Sequence, residues 1–138
     1  QTGVPFSEMR RKGKEAYPAC IIGLTLPRDE LYRRIDQRVD HMLEAGWIEE
    51  VKRLLSRGVT LAHSAMASVG YRELASVLGG TLAMGEANRI INTATHRFAR
   101  HQYAWFRLSD PRIHWLDASQ PGMENSARAL IASCVGEA

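Results

Sequence analysis

The residues of this chain most suited to chemistry are arginines. In the stretch EANRIINTATHRFARHQYAWFR, residues 86–107, Arg89, Arg97, Arg100 and Arg107 recur at intervals that a helix brings to one side. At about 100° per residue, Ala87, Ile90, Ile91, Ala94, Phe98 and Trp105 fall on the opposite side, with Thr93 and His96 among the arginines. Guanidinium is permanently charged and offers paired donors that match phosphate. A row of them fits the backbone of a nucleic acid or the phosphates of a nucleotide. A solvated charged face is the other reading of the same pattern, and any surface helix has one. No acid stands between Arg89 and Arg107, whereas an ordinary solvated face mixes both signs.

Two further groups could hold an anion. Arg34 and Arg38 lie one turn apart on the polar side of another helical stretch. Gly70, Tyr71 and Arg72 bring together the amides of a helix start, an aromatic ring and a guanidinium. The alternative for Gly70 is a close helix–helix contact with Tyr71 in the core. Groups for bond-making chemistry are missing. There is no G-x-x-x-x-G-K-[ST] phosphate loop, no H-E-x-x-H, and no Cys/His spacing of the zinc kind. His96 and His101 flank the basic row and read as packing or surface residues rather than bases.

The elements that must position these groups are mostly helical. Residues 28–45 carry Leu31, Ile35, Val39, Met42 and Leu43 at helical spacing, with Pro27 before them, Asp29 and Glu30 in the first turn, and Gly46 as the stop. Residues 47–56 form a second helix ending at Gly58. Residues 64–78 become helical from about Tyr71, and Gly79-Gly80 turns into the long basic helix. Residues 123–135 form a last amphipathic helix with Ala127, Leu130, Ile131 and Cys134 inward. Residues 17–26, YPACIIGLTL, are a continuous apolar run that predicts a strand buried on both faces, as in a parallel sheet. Only residues 113–116 offer it a partner, so the sheet reads as incomplete. Residues 1–16 read as a polar, basic linker and residues 17–138 as the domain proper.

The totals agree with a globular domain. The chain has 138 residues, 45% hydrophobic and 24% charged, with a net charge of +3. Its pI of about 9.1 permits an anionic partner without demanding one. Cys20 and Cys134 sit in apolar surroundings without a C-x-x-C, which reads as two free, buried thiols of a reducing compartment, with a disulfide as the alternative. The longest apolar stretch, residues 19–24, is far too short to span a membrane.

Several segments taken together resemble the C-terminal half of the bacterial tRNA dimethylallyltransferases, the tRNA isopentenyltransferase family. They are TGVPFSE at 2–8, LPRDELYRRIDQRVDHMLEAGWIEEVKRLL at 26–55, ASVGYREL at 67–74, ATHRFARHQYAWFR at 94–107 and IHWLD at 113–117. The resemblance implies the helical C-terminal portion of a P-loop-kinase-like α/β enzyme, mainly α, with one or two short strands left from the parent sheet. It implies transfer of a dimethylallyl group from dimethylallyl diphosphate to N6 of the adenosine next to the anticodon, with Mg²⁺ on the diphosphate. It also implies a cytoplasmic enzyme, monomeric at full length, whose partner is the tRNA anticodon stem-loop. The phosphate loop and the aspartate base belong to the family's N-terminal half, so these 138 residues read as a portion inactive alone, with no catalytic residue or metal ligand of their own.

Carried over residue by residue, the resemblance puts Arg38 at the diphosphate. It puts Ala67, Ser68, Val69, Gly70, Tyr71 and Arg72 against tRNA, together with Arg97, Arg100, His101, Gln102, Tyr103, Ala104, Trp105, Phe106 and Arg107. His101 departs from the family's usual Arg or Lys, Ala104 from a common Thr, and Ala83 from a Ser that caps the long helix. Two rivals stand beside this reading: a small helical nucleic-acid-binding module without catalysis, and a purely structural helical domain.

Overall fold

The computed structural model describes residues 19–136, with side chains described for 19–134. The expected linker at 1–16 and the first residues of the expected strand lie outside that range. The element order is β1 (Ile21–Thr25), α1 (Arg28–Glu44), α2 (Trp47–Ser56), a 3₁₀ turn (Ser64–Ala67), α3 (Tyr71–Leu78), α4 (Met84–Trp105), β2 (Ile113–Asp117) and α5 (Met123–Gly136). The described residues form two compact units. One is Thr25–Asp110; the other combines residues up to Leu24 with those from Pro111.

The first unit is helical, and its local signals act as the sequence suggests. Asp29 and Glu30 occupy the first turn of α1 behind Pro27. Gly46, at φ 96°, takes the left-handed conformation that ends α1 and starts α2. The start of α4 at Ala83 has no side-chain cap, as expected where Ser is absent. The core is small and specific: Val39 of α1, Trp47 and Val51 of α2, Met66 of the 3₁₀ turn, Leu74 of α3, and Ala87 and Ile91 of α4 are buried. Met42, Leu43, Leu55, Val59, Tyr71 and Ala75 pack around it. Each large side chain fully removed from water there contributes about 1.5–3 kcal/mol.

The long helix departs from its expected faces. Phe98 and Trp105, placed inward by periodicity, are 64% and 84% exposed. The 22 residues of α4 extend about 33 Å, while only its first turns lie on the buried core, at Ala87 and Ile91. Beyond them Ala94 is half-buried, while Phe98 and Trp105 are left largely uncovered by the described residues. The side expected to be solvated is instead partly packed. Asn88 donates to Asp40 at 2.8 Å, and His96 Nε2 lies 2.8 Å from Asp36 Oδ1. The imidazole of His96 also stacks on Tyr32, with ring centroids 4.0 Å apart and planes 6° apart. These pairs set α1 and α4 antiparallel along a polar seam.

In the second unit, β1 and β2 form a two-stranded parallel sheet, with α5 against β2. Gly23 explains itself: a Cβ there would collide with the Trp115 ring and the Ile113 methyl. The expected burial of the first strand on both faces is corrected. Residues 21–25 are each exposed or half-buried, with Ile21 38% and Leu24 56% exposed, because a single neighbouring strand pairs with β1 here. Ile131, expected inward, is 51% exposed. The cysteine expectation is overturned outright. Cys20 and Cys134, 114 residues apart, form a disulfide with Cα atoms 6.0 Å apart. Cys20 is exposed and Cys134 half-buried, so neither is a free core thiol.

Candidate nucleic-acid interface

Helix α4 holds its basic residues by being long and unbroken. Arg97, Arg100, His101, Gln102 and Arg107 are all exposed, and none of their side chains makes a hydrogen bond or ion pair with a described residue. Arg89 differs, with its guanidinium 3.7 Å from Glu86 in an exposed i, i+3 pair. Tyr103, Ala104, Trp105 and Phe106 are exposed on the same last turns, at 36% for Tyr103 and 56% for Phe106. Free guanidiniums interleaved with exposed aromatic rings suit a single-stranded or looped nucleic acid, where charge follows the backbone and rings stack on bases.

The segment at 67–72 divides. Ala67, Ser68, Val69 and Arg72 are exposed, and the Arg72 guanidinium has no partner among the described residues. Gly70 and Tyr71 are structural in this conformation. Gly70 has φ 97° and is buried against Trp47, whose ring a Cβ would strike. Tyr71 meets the Trp47 indole edge-on, centroids 5.9 Å apart, and its hydroxyl donates to Glu50 Oε1 at 2.8 Å. That bond, then burial, raises the Tyr71 hydroxyl above the ordinary tyrosine value. Two of the amides expected to be free at this helix start are taken: Gly70 N–H donates to Glu73 Oε2 at 2.9 Å and Tyr71 N–H to the Ser68 carbonyl at 3.3 Å. The contact alternative thus describes Gly70 and Tyr71.

On α1, Arg38 and its neighbour part company. Arg34 donates to Glu30 at 2.7 Å, Arg33 donates to the same carboxylate, and together, Arg34 first, they hold that carboxyl below its usual value. Arg38 is exposed with no partner among the described residues, beside buried Val39. It is therefore the arginine of that pair left available to an anion. No bond ties it to the α4 row.

A cavity of about 340 Å³ went unforeseen. Thr25, Leu26, Arg28, Leu31, Tyr32, Arg100, Tyr103 and Leu108 line it, so it opens between the start of α1 and the end of α4. The Arg28 guanidinium lies 5.1 Å from the Tyr32 ring centroid. An apolar floor with two guanidiniums at its edge would accept a flat or apolar group attached to an anion. The i, i+4 spacing of Arg28 and Tyr32 was the available signal, but only the antiparallel α1–α4 seam brings Arg100 and Tyr103 to them.

These features make a basic, aromatic-bearing surface on a mostly helical scaffold with one two-stranded parallel sheet. Comparison with known proteins carries the assignment further. The sequence model of the IPP transferase family matches residues 1–109, and the chain belongs to that family. It is 43% identical over 138 residues to the tRNA dimethylallyltransferase of Thermomicrobium roseum, covering 99% of this chain and 41% of that protein. Against the Dehalococcoides mccartyi tRNA dimethylallyltransferase it is 38% identical over 135 residues, covering 96% and 42%. Among solved structures it superimposes on the tRNA delta(2)-isopentenylpyrophosphate transferase of Staphylococcus epidermidis with a TM-score of 0.80 at 29% identity, covering 90% of this chain and 40% of that one. The full-length tRNA isopentenylpyrophosphate transferase of Bacillus halodurans gives 0.79 at 32% identity, covering 90% and 41%. The chain thus spans about two-fifths of the length of these relatives.

The family resemblance implies magnesium, which no group of three or more metal-capable side chains among the described residues suits. The ion takes oxygen ligands in octahedral array. The one cluster of metal-capable side chains among the described residues is Cys20, His114 and Cys134, which is of the wrong chemistry. No described helix is long and apolar enough to cross a membrane.

Proposed function

We propose that this chain supplies the tRNA-facing and diphosphate-facing parts of a tRNA dimethylallyltransferase of the cytoplasm. The reaction forms a bond between N6 of the adenosine next to the anticodon and C1 of the dimethylallyl group. The C1–O bond breaks, diphosphate leaves, and N6 gives up a proton. Arg38 would hold the diphosphate through paired guanidinium donors, whose pull grows as negative charge develops on the leaving oxygen. Arg97, Arg100 and Arg107 would follow the anticodon stem-loop backbone, with Tyr103, Trp105 and Phe106 against its bases. Mg²⁺ would be held by the diphosphate and by residues outside this chain. The family resemblance places the base outside this chain, so the proposal includes that the chain alone is inactive.

The observation carrying this reading is the set of unpaired arginines interleaved with exposed aromatic rings at the end of α4. Its test is a salt titration of binding to an anticodon stem-loop RNA. Backbone contacts release counterions, so the log–log slope of Arg100→Ala should flatten by roughly 0.7–0.9 relative to the unsubstituted chain. Unchanged affinity and slope in Arg100→Ala would leave that face merely solvated and remove the proposal's support. Tight RNA binding by a protein of the relatives' full length that transfers no dimethylallyl group would favour the non-catalytic module instead.

A further inference from the structure

The sulfurs of Cys20 and Cys134 and a ring nitrogen of His114 all lie within 4.8 Å of one another. They come from three places: the residue before β1, the second residue of β2, and the last turns of α5. All three belong to the compact unit built from residues up to Leu24 and from Pro111. His114 is exposed and its imidazole makes no hydrogen bond or ion pair with a described residue. No role in tRNA or diphosphate binding touches this corner.

We propose that Cys20, Cys134 and His114 form a zinc site that opens when the disulfide is reduced. A dithiol reductant supplies two electrons and two protons: the S–S bond breaks, two thiols form, and the reductant becomes a cyclic disulfide. Zn²⁺ then takes both sulfurs as thiolates, releasing their two protons, and takes neutral His114 through a ring nitrogen. The chemistry favours zinc among common divalent ions. Thiolate and imidazole are its habitual donors, it has no geometric demand of its own, and oxygen-seeking Mg²⁺ or Ca²⁺ would gain little from them. The geometry is close. Tetrahedral zinc with bonds of about 2.3 Å to sulfur and 2.0–2.1 Å to nitrogen sets its ligands roughly 3.5–3.8 Å apart. From a cluster already inside 4.8 Å, side-chain rotations are enough, with the freed sulfurs moving apart and the imidazole moving in. Three protein ligands leave a fourth position for water. Disulfide and metal use the same two sulfurs, so they are alternative staples between the strand pair and α5.

The experiment uses the 138-residue chain, reduced with a phosphine that is then removed under anaerobic conditions. Cobalt(II) serves as the probe, since bound thiolates give it an intense charge-transfer absorption, and zinc is then added to displace it. The reduced chain should bind one Co²⁺ with that band, zinc should bleach it, and the disulfide form should bind neither ion. Cys20→Ser and Cys134→Ser should each weaken the band and the affinity. His114→Ala leaves the cysteines and an exposed strand position otherwise intact. It should weaken zinc by more than the roughly 10–100-fold that loss of an outer-shell partner costs. No stoichiometric binding by the reduced chain would overturn the site. Equal binding by the oxidised chain would place the metal elsewhere and overturn it too. Undiminished zinc affinity in His114→Ala would remove the histidine and with it the three-ligand site.

Discussion

Replacing Gly70 with alanine tests whether the start of α3 is a packing joint. Two costs can be read from the structure. At φ 97° the backbone lies where an L side chain is disfavoured by about 1–2 kcal/mol. The new Cβ also points into the Trp47 ring, a buried member of the core, and forced overpacking of this kind costs about 1–3 kcal/mol. Together they predict a loss of about 2–5 kcal/mol, against a total stability of about 5–15 kcal/mol for an ordinary domain. The loss should appear as a lower urea midpoint at unchanged slope, followed by tryptophan fluorescence. A cycle with Trp47→Leu separates the two costs. Removing the large ring should relieve the steric part and leave the backbone part, giving a favourable coupling of about 1–3 kcal/mol. A Gly70→Ala protein within about 0.5 kcal/mol of the parent would refute this reasoning. Normal stability with a specific loss of RNA affinity would return Gly70 to the tRNA surface.

Tyr71→Phe should cost about 0.5–1.5 kcal/mol through loss of the bond to Glu50, and should leave the salt slope of RNA binding unchanged. Because the folded state raises the Tyr71 value, that stabilisation is present below the ordinary tyrosine value of 10.0 and is lost as pH rises through the folded value; an alkaline unfolding series should show it, and Tyr71→Phe should abolish it. Glu30 has the opposite sign: its lowered carboxyl contributes above the unfolded carboxylate value and loses that contribution as pH falls, so Arg34→Ala should raise the Glu30 value in an NMR titration. Trp105→Ala should weaken a looped RNA by about 1–3 kcal/mol with little change in salt slope and little loss of fold stability, given its exposure. Equal affinity in Trp105→Ala would take that ring out of the interface.

Much of the helical frame follows from local chemistry. Pro27 with Asp29 and Glu30 opens α1, Gly46 closes it, and Ser109-Asp110-Pro111 follows the end of α4; the observed helices begin and end within a few residues of these signals. The unpaired arginines were legible too, because a face empty of acids between Arg89 and Arg107 has no local counter-charge, and among the described residues only Arg89 of that row finds an acid, Glu86, just outside that interval. Arg38 and Arg34 looked equivalent by spacing. They differ because Glu30 lies one turn before Arg34 and captures it, a contact that rotamers decide.

What only the tertiary structure decided depends on partners far along the chain. Periodicity put Phe98 and Trp105 on the apolar face correctly, but burial requires something opposite that face, and the core stops near Ile91. The α1–α4 seam is made of Asn88, Asp40, His96, Asp36 and Tyr32, and polar contacts carry no hydrophobic period to detect. Gly70 was visibly unusual, yet whether a bare Cα served a phosphate or the Trp47 indole depended on where a residue 23 positions earlier comes to lie. The cysteines make the same point most sharply. Spacing rules find metal and disulfide pairs that are close in sequence, whereas Cys20, His114 and Cys134 meet only because the chain returns after 114 residues to set its last helix beside its first strand.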